Sequence, residues 1–414
     1  MKNKSEIQNP KSQILIVGAG PAGASLAIRL AEKGFEIVLV ERDKFPRQKL
    51  CGEFVSPECL TYFRELNVLD EMFAIGGDRI SETVFYAPNG KNVSVSSKWF
   101  NAEAQNALSI SRAEMDFRLI EKAKRSGVKV LEETQIVGIL YEDKKVCGVK
   151  AKNKSGETFE ITSNLTIDAT GRANVLGKLA EKARRGEEEK RRKGEKIRNP
   201  KSQIRNRLVG FKTHLKNVNL EKGRCEIYFF RGGYGGLSFV ENGSANHCFL
   251  IKADVVKEFG GKAEKIVEDV IFENKRAFET MKDAENVFDW LAVSVESFGR
   301  KELNPAPNLF AVGDAAAFID PFTGSGMLMA MQSAKILAEI VSENRFSFAE
   351  IAEKYKLAHK ENFQNRLRVC ALMRRAAFLP NLAKLLISTL SFSEKSLEFL
   401  ARATRQSVLF DKNK

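Results

Sequence analysis

Metal ligands are scarce in this chain. Its three histidines, His214, His247 and His359, stand far apart and none neighbours a plausible second ligand. The six cysteines, Cys51, Cys59, Cys147, Cys225, Cys248 and Cys370, include no C-x-x-C pair. That scatter argues against a zinc site, a disulfide framework and dithiol redox chemistry, and it fits reduced thiols in a cytoplasm. No run of about 18 apolar residues occurs, so no membrane-spanning helix is expected. The start of the chain, Met1-Lys2-Asn3-Lys4-Ser5-Glu6, lacks the apolar stretch of a secretory signal.

What is present is a chain of 414 residues with a hydrophobic fraction of 43%, enough for two or three domains or one large unit with an inserted lobe. The net charge of +14 is unevenly spread. Residues 181–207 hold twelve Lys/Arg against five Glu, so this stretch carries +7, half of the total. A solvated, low-complexity insertion explains it more simply than a nucleic-acid groove. The phrase Lys4-Ser-Glu-Ile-Gln-Asn-Pro10 is followed at once by Lys11-Ser-Gln-Ile14, and it returns as Asn199-Pro-Lys-Ser-Gln-Ile204. Solenoid periods are about 20–50 residues, so these copies read as low-complexity additions carried on exposed loops.

Elsewhere strands and helices alternate. Ile14–Val17 and Glu36–Val40 read as strands flanking a helix over Pro21–Glu32 that Gly34 closes, a β-α-β unit. Residues 79–96 alternate like antiparallel strands around the turn Pro88-Asn89-Gly90. A helix follows from Arg112, then strands at 129–131, 135–142 and 166–169. The stretch 208–251 is rich in β-formers and glycine. Leu309–Val312 leads into a long helix from about Ser325 to Glu343, and the chain reads as helical from Phe348 onward.

Two glycine-rich turns carry the chemistry. Gly18-Ala19-Gly20-Pro21-Ala22-Gly23 lies directly between strand and helix: Gly18 permits the tight turn, Gly20 admits a pyrophosphate close to the backbone, and Gly23 lets helix and strand pack. The helix start adds free amides and the positive end of its dipole. Glu41, 18 residues after Gly23, ends the second strand where a ribose hydroxyl is recognised. In the second turn, Gly313-Asp314 follows a strand, and Asp314 suits a ribityl hydroxyl. Gly324-Ser325-Gly326-Met327 then opens a helix where backbone can lie close to a planar ring and the dipole favours negative charge on a reduced flavin. The G-x-G-x-x-G does not recur, so no separate nicotinamide domain is expected.

With Ile167-Asp168-Ala-Thr-Gly171-Arg172 and Ser109-Ile-Ser-Arg112-Ala-Glu-Met-Asp116, these motifs identify a resemblance. Over about 14–345, the insertion excluded, the chain resembles the FAD-dependent geranylgeranyl reductase family and, more broadly, the aromatic hydroxylase-like flavoproteins. Phe45-Pro-Arg-Gln-Lys-Leu-Cys51-Gly52-Glu53 looks like that family's loop before the flavin, and Gly232-Gly-Tyr234-Gly-Gly-Leu237 like its sheet motif facing the substrate. The resemblance implies a Rossmann-like α/β FAD-binding domain (1–78, 108–180 and 301–345), an inserted antiparallel substrate sheet (79–107 and 208–300) and a helical C-terminal region (346–414). By the same resemblance Gly18, Gly20, Pro21, Ala22, Gly23, Glu41 and Arg42 hold the ADP half of FAD, and Arg112 reaches its ribityl or pyrophosphate part. Gly313 and Asp314 meet the ribityl chain, Gly324–Met327 line the isoalloxazine, and Cys51 and Gly52 sit beside the ring. Asp168 is read as a structural residue of its turn; the pattern departs from the hydroxylases' Asp-Gly, and Asn174 stands where relatives often carry Ser.

Cys51 is either a small residue under the ring or a catalytic thiol, and Tyr234 either packs in the core or shapes the substrate and donates a proton. The closely spaced tryptophan pair of tryptophan halogenases is absent, Trp99 and Trp290 being far apart. Two reactions stay open: reduction of a C=C bond in a prenyl or other lipid chain, which the cysteine loop and the Gly-Gly-Tyr motif favour, and hydroxylation of an aromatic or polyketide substrate. A non-catalytic flavin-binding protein is the third reading. NADPH or another reduced donor, and a small hydrophobic substrate, complete the expectation. The helical spacing of apolar residues at Leu379–Leu390 and Ser393–Leu400, with Lys384, Arg402 and Arg405, fits packing on the flavin domain or, for a lipid substrate, peripheral contact of a cytoplasmic protein with a membrane.

Overall fold

The computed structural model describes residues 11–100, 104–191, 207–295, 298–344, 347–378 and 394–403. The first repeat copy up to Pro10, the copy at 199–204, Leu379–Leu390 and Arg405 lie outside the described residues. Two sheets organise the chain. In the first, Lys11–Val17 lies between Ile37–Val40 and Thr158–Asp168, parallel to both, with Val17 opposite Val40 and Asp168. Lys129–Leu131 extends this parallel set on one side and Leu309–Ala311 on the other. Lys145–Lys152 and Gln135–Glu142 add an antiparallel edge.

The β-α-β opening follows from local chemistry. Proline at the first turn of Pro21–Glu32 suits a helix start, where its missing N–H is not needed. Leu26, Ile28 and Leu30 are fully buried, each contributing about 1.5–3 kcal/mol of transfer free energy. Helix Arg112–Arg125 is capped by Ser111, whose hydroxyl accepts the Glu114 N–H at 3.2 Å, and it ends in Lys122, Lys124 and Arg125 where the dipole favours cations.

Lys11-Ser-Gln-Ile14 is not the exposed loop that its repeat character suggests. It begins the central strand, with Lys11 opposite Thr162, Ser12 and Ile14 buried, and Gln13 accepting the Glu36 N–H at 3.0 Å. A central parallel strand presents buried side chains on both faces, here Ile14 and Ile16 on one and Leu15 and Val17 on the other, and the phrase Lys11–Ile14 is the start of that strand. The described part of the charged stretch, up to Arg191, continues helix Val175–Arg191.

The second sheet runs Glu285–Asn286, Leu208–Lys216, Ala245–Lys252, Gly233–Phe239, Arg224–Phe230, Glu82–Tyr86 and Asn92–Ser96, with Leu291–Val295 also on Leu208–Lys216. It is antiparallel except where Arg224–Phe230 meets Glu82–Tyr86 in parallel, because these strands come from two separate excursions of the chain. Its outer face is covered by helices Ala253–Glu258, Ala263–Asp269 and Lys275–Met281, through Val255, Ile266 and Met281 against Tyr228, Phe249 and Ile251. Strand alternation turns Ile227, Phe229, Tyr234 and Leu250 the other way, toward the first sheet.

Helix Gly326–Glu343 packs on Pro21–Glu32 and on the C-terminal helix Phe348–Ala377. The last described helix, Glu394–Ala403, packs on Asn92–Ser96 of the second sheet. Of the two segments expected to pack on the flavin domain or to meet a membrane, Leu379–Leu390 lies outside the described residues, and the described part of Ser393–Leu400 belongs to this helix on the second sheet. No described helix is long and apolar enough to cross a membrane.

Candidate functional site

A cavity of about 1070 Å³ lies between the C-terminal ends of the parallel strands and the inner face of the second sheet. It exceeds the roughly 300–1,000 Å³ usual for one small ligand. Its floor is backbone. Gly18, at φ 100°, follows Val17, and a Cβ there would stand 2.4 Å from the Ala169 carbonyl oxygen. A Cβ on Gly23 would stand 1.9 Å from the Gly18 carbonyl oxygen. The neighbouring strand ends are tied to this turn, the Gly18 N–H donating to Val40 at 2.8 Å and the Ala169 N–H to Val17 at 2.7 Å. Gly20, Pro21 and Ala22 face the cavity at the helix start, where first-turn amides lack intrahelical partners.

Glu41 is buried at the cavity edge, and its carboxylate accepts the Ala19 N–H at 3.0 Å and the Arg42 N–H at 3.0 Å, with Arg47 at 3.3 Å. It therefore holds the glycine turn as well as facing the cavity. The Arg42 side chain is largely exposed at the rim. Arg112 enters from the start of its helix and is clamped by Asp116 through Nε at 2.9 Å and Nη2 at 2.7 Å. Burial alone lowers the pKa of Arg112, but Asp116 outweighs it and holds it above the ordinary value. Lys49 is pushed down to about 8, by burial first and then by Arg47 and Arg42.

Asp314 follows the strand Leu309–Ala311 and lines the cavity; no hydrogen bond to its carboxylate is made among the described residues. Burial raises its pKa to about 6, against the pull of Lys301, Arg172 and Arg112. Gly324, Gly326 and Met327 line the wall beyond it, whereas Ser325 is fully buried. Gly313 and Gly23 do not reach the cavity surface either; a Cβ on Gly313 would stand 2.8 Å from the Ala22 Cβ, so both glycines serve close packing behind it. Asp168 is fully engaged in its turn, accepting from Thr170 N (2.9 Å) and Oγ1 (2.6 Å), Leu176 N (2.8 Å) and Gly177 N (3.1 Å).

The opposite wall is apolar. Phe85, Val95, Ile227, Phe229 and Leu250 face the cavity from four strands, and Leu397 and Ala401 close it from the last helix. Tyr234 lines this wall, but its O–H donates to Asp320 Oδ1 at 2.5 Å. Burial and the Asp320 charge keep its pKa well above the ordinary tyrosine value, so the phenol holds its proton. Cys51 and Gly52 lie between the two walls, with Cys51 Sγ accepting the Glu53 N–H at 3.3 Å.

The cavity thus brings together all the residues read from the sequence as site residues except Gly23, Gly313 and Ser325, which stand just behind it. Sequence reasoning missed Glu53, Lys49, Arg172 and Lys301, which also line it. Their signal is weak: Glu53 and Lys49 lie inside the quoted loop without a motif of their own, and Lys301 is a single basic residue before a strand.

A carboxylate with no hydrogen-bond partner among the described residues, a helix start and two turns where a Cβ does not fit, with cations on the same wall, suit a ligand with a pyrophosphate and sugar hydroxyls. Fold and site together define a dinucleotide-binding oxidoreductase scaffold. The model of the FAD binding domain family matches residues 11–344, and the chain belongs to that family. It is similar to the digeranylgeranylglycerophospholipid reductase of Methanosarcina acetivorans, 27% identical over 370 residues that cover 84% of this chain and 80% of that one. It is similar as well to the tryptophan 2-halogenase of Chondromyces crocatus, 25% identical over 371 residues, 86% of this chain and 67% of that one. Among solved structures, a geranylgeranyl bacteriochlorophyll reductase-like protein from Thermoplasma acidophilum superposes with a TM-score of 0.72 at 19% identity, covering 96% of each chain. The chain is an FAD-dependent oxidoreductase by family.

Proposed function

We propose that this oxidoreductase reduces C=C bonds in a prenyl or other lipid-like substrate. The apolar wall carries this reading: a face of Phe85, Ile227, Phe229 and Leu250 offers an unsaturated hydrocarbon chain contact along its length and offers a polar ring few partners. The reductase relative supports it, since its name specifies a digeranylgeranyl lipid. In this proposal Gly18, Gly20, Pro21, Ala22, Gly23, Glu41 and Arg42 hold the ADP half of FAD, with Arg112 at the pyrophosphate. Gly313 and Asp314 hold the ribityl chain, and Gly324–Met327 hold the ring. Bound and reduced, FAD supplies hydride for one carbon of the double bond. The protein then has to seat the alkene, exclude water and give a proton to the second carbon. Cys51 is the proton donor we favour, because the Tyr234 O–H is engaged with Asp320. Tyr234 then shapes the wall and joins it to the loop before Gly324.

The division at residues 78, 107, 180, 207, 300 and 345 belongs to the same proposal, with 79–107 and 208–300 as the substrate part. NADPH or another reduced donor supplies the electrons. Peripheral contact with a membrane follows from a lipid substrate, and Phe399, 60% exposed on the helix that closes the cavity, is the residue best placed for it. Oxygenation of a ring is the second reading, supported by the similarity to a halogenase. The two separate under anaerobic conditions. Reductase chemistry predicts that reduced holoprotein is re-oxidised by an unsaturated prenyl lipid with loss of a double bond. Oxygenase chemistry predicts no re-oxidation until oxygen is admitted, with uptake stimulated by an aromatic substrate.

A further inference from the structure

Beneath the Cys51 loop lies a buried ionic group that neither the cofactor groove nor the apolar wall explains. Glu53 is fully buried and sits at φ 55°, a left-handed backbone conformation that a non-glycine residue adopts only at a cost. Its carboxylate meets His214 Nε2 at 2.7 Å, accepts the Arg112 N–H at 2.7 Å and pairs with Lys212 Nζ. Lys212, itself fully buried, also donates to Gln48 Oε1 at 3.1 Å and to the Lys49 carbonyl at 3.2 Å.

The loop is laid across two strands of the second sheet. Asn246 Nδ2 donates to the Cys51 carbonyl at 3.2 Å, and a Cβ on Gly210 would stand 2.7 Å from Leu50 Cδ2. Glu53 closes the arrangement by giving its own N–H to Cys51 Sγ. One residue thereby joins the cavity cysteine, the first residue of the Arg112 helix and the strand Leu208–Lys216.

Stability is a poor reason for such a group. Replacing a buried ion pair with apolar side chains of similar volume is often neutral or stabilising, and the left-handed turn adds a further penalty. Burial pushes the Glu53 carboxyl up, yet His214 and Lys212 outweigh it and hold it below the usual carboxylate range, so the charged form ties the loop down.

We propose that Glu53 is a positioning residue, which Lys212 and His214 pin so that Cys51 Sγ and the start of the Arg112 helix keep a fixed relation where the two cavity walls meet. This role is the same whether the reaction is reduction or oxygenation. Hydrogen–deuterium exchange of the full chain loaded with FAD, read by peptide mass spectrometry, tests it through the amides of Cys51 to Glu53 and of Arg112. His214→Gln places an amide nitrogen where Nε2 stands, while His214→Phe fills the space without a donor. The expected result is loop exchange about tenfold faster in His214→Phe, wild-type exchange in His214→Gln, and an unchanged Ile14–Val17 strand in both. Equal loop exchange in the two variants overturns the proposal. Should His214→Phe lose protection in the core strand as well, Glu53→Gln combined with Lys212→Met, which removes both buried charges at once, decides. A faster loop over a protected core supports the positioning role, and wild-type loop exchange refutes it.

Discussion

At the glycine-rich end of the cavity the chain works with its backbone, and at the sheet end it works with side chains drawn from strands far apart in sequence. The first wall depends on carbonyls and amides at the ends of parallel strands, where an added Cβ collides within 2.4 Å at Gly18 and 1.9 Å at Gly23. The second wall depends on which residue of each strand faces inward, and an extra methylene there meets the movable end of a side chain. A Cβ on Gly236, for example, would stand 2.9 Å from Ile227 Cδ1. One wall is rigid and intolerant; the other is open to revision. In the proposed function, binding the cofactor and choosing the substrate therefore fall to parts of the chain that can change independently.

The sharpest break of this comparison is Gly23→Val, which should lower FAD affinity by at least roughly a hundredfold in equilibrium titration. Ile227→Trp should do the reverse of Gly23→Val, keeping the flavin while weakening an unsaturated lipid by roughly ten- to a hundredfold. If Ile227→Trp also expels FAD, the walls are not independent.

Asp314→Asn should weaken FAD about tenfold by removing a charged acceptor. The wild-type affinity should fall as pH drops through about 6, because Asp314 takes up a proton there. In the flavin-free chain the sign is opposite. A carboxyl whose folded pKa is raised to about 6 favours the folded state at low pH, and that contribution is lost as pH rises from about 4 to 6. Asp314→Asn should therefore raise the flavin-free melting temperature at pH 7 while it harms cofactor binding.

Lys49→Met is the smallest effect. A lysine lowered to about 8 costs the folded state stability below that pH, and the cost disappears as pH rises toward the ordinary value of 10.5. The variant should melt about 1–3 °C higher at pH 7 and converge with wild type at high pH. No gain at pH 7 would show that Lys49 is not a strained cavity residue.

The same contrast explains what could be read before the structure. Gly18, Gly20, Gly23 and Glu41 were legible because a backbone site demands fixed residue types at fixed spacing between a strand and a helix. The helix Pro21–Glu32 and the strands flanking it follow from the same pattern. The Glu53, Lys212 and His214 group was not legible: its members lie 159 and 161 residues apart from Glu53, and each looks like an ordinary polar residue of a loop or strand. The helices over the outer face of the second sheet, such as Ala263–Asp269, were missed because they are too short to show a clear period. Lys11–Ile14 was misread because repetition of a phrase says nothing about its burial, which the neighbouring strands decide.

The most direct test of the account is to load the full chain with FAD, reduce it, and mix it without oxygen with a lipid that carries isolated prenyl double bonds. The predicted result is return of the oxidised-flavin absorbance in step with saturation of the lipid, shifted to higher lipid concentration by Ile227→Trp and slowed by Cys51→Ser. A flavin that stays reduced with the lipid and reacts only when oxygen and an aromatic substrate are supplied would contradict it.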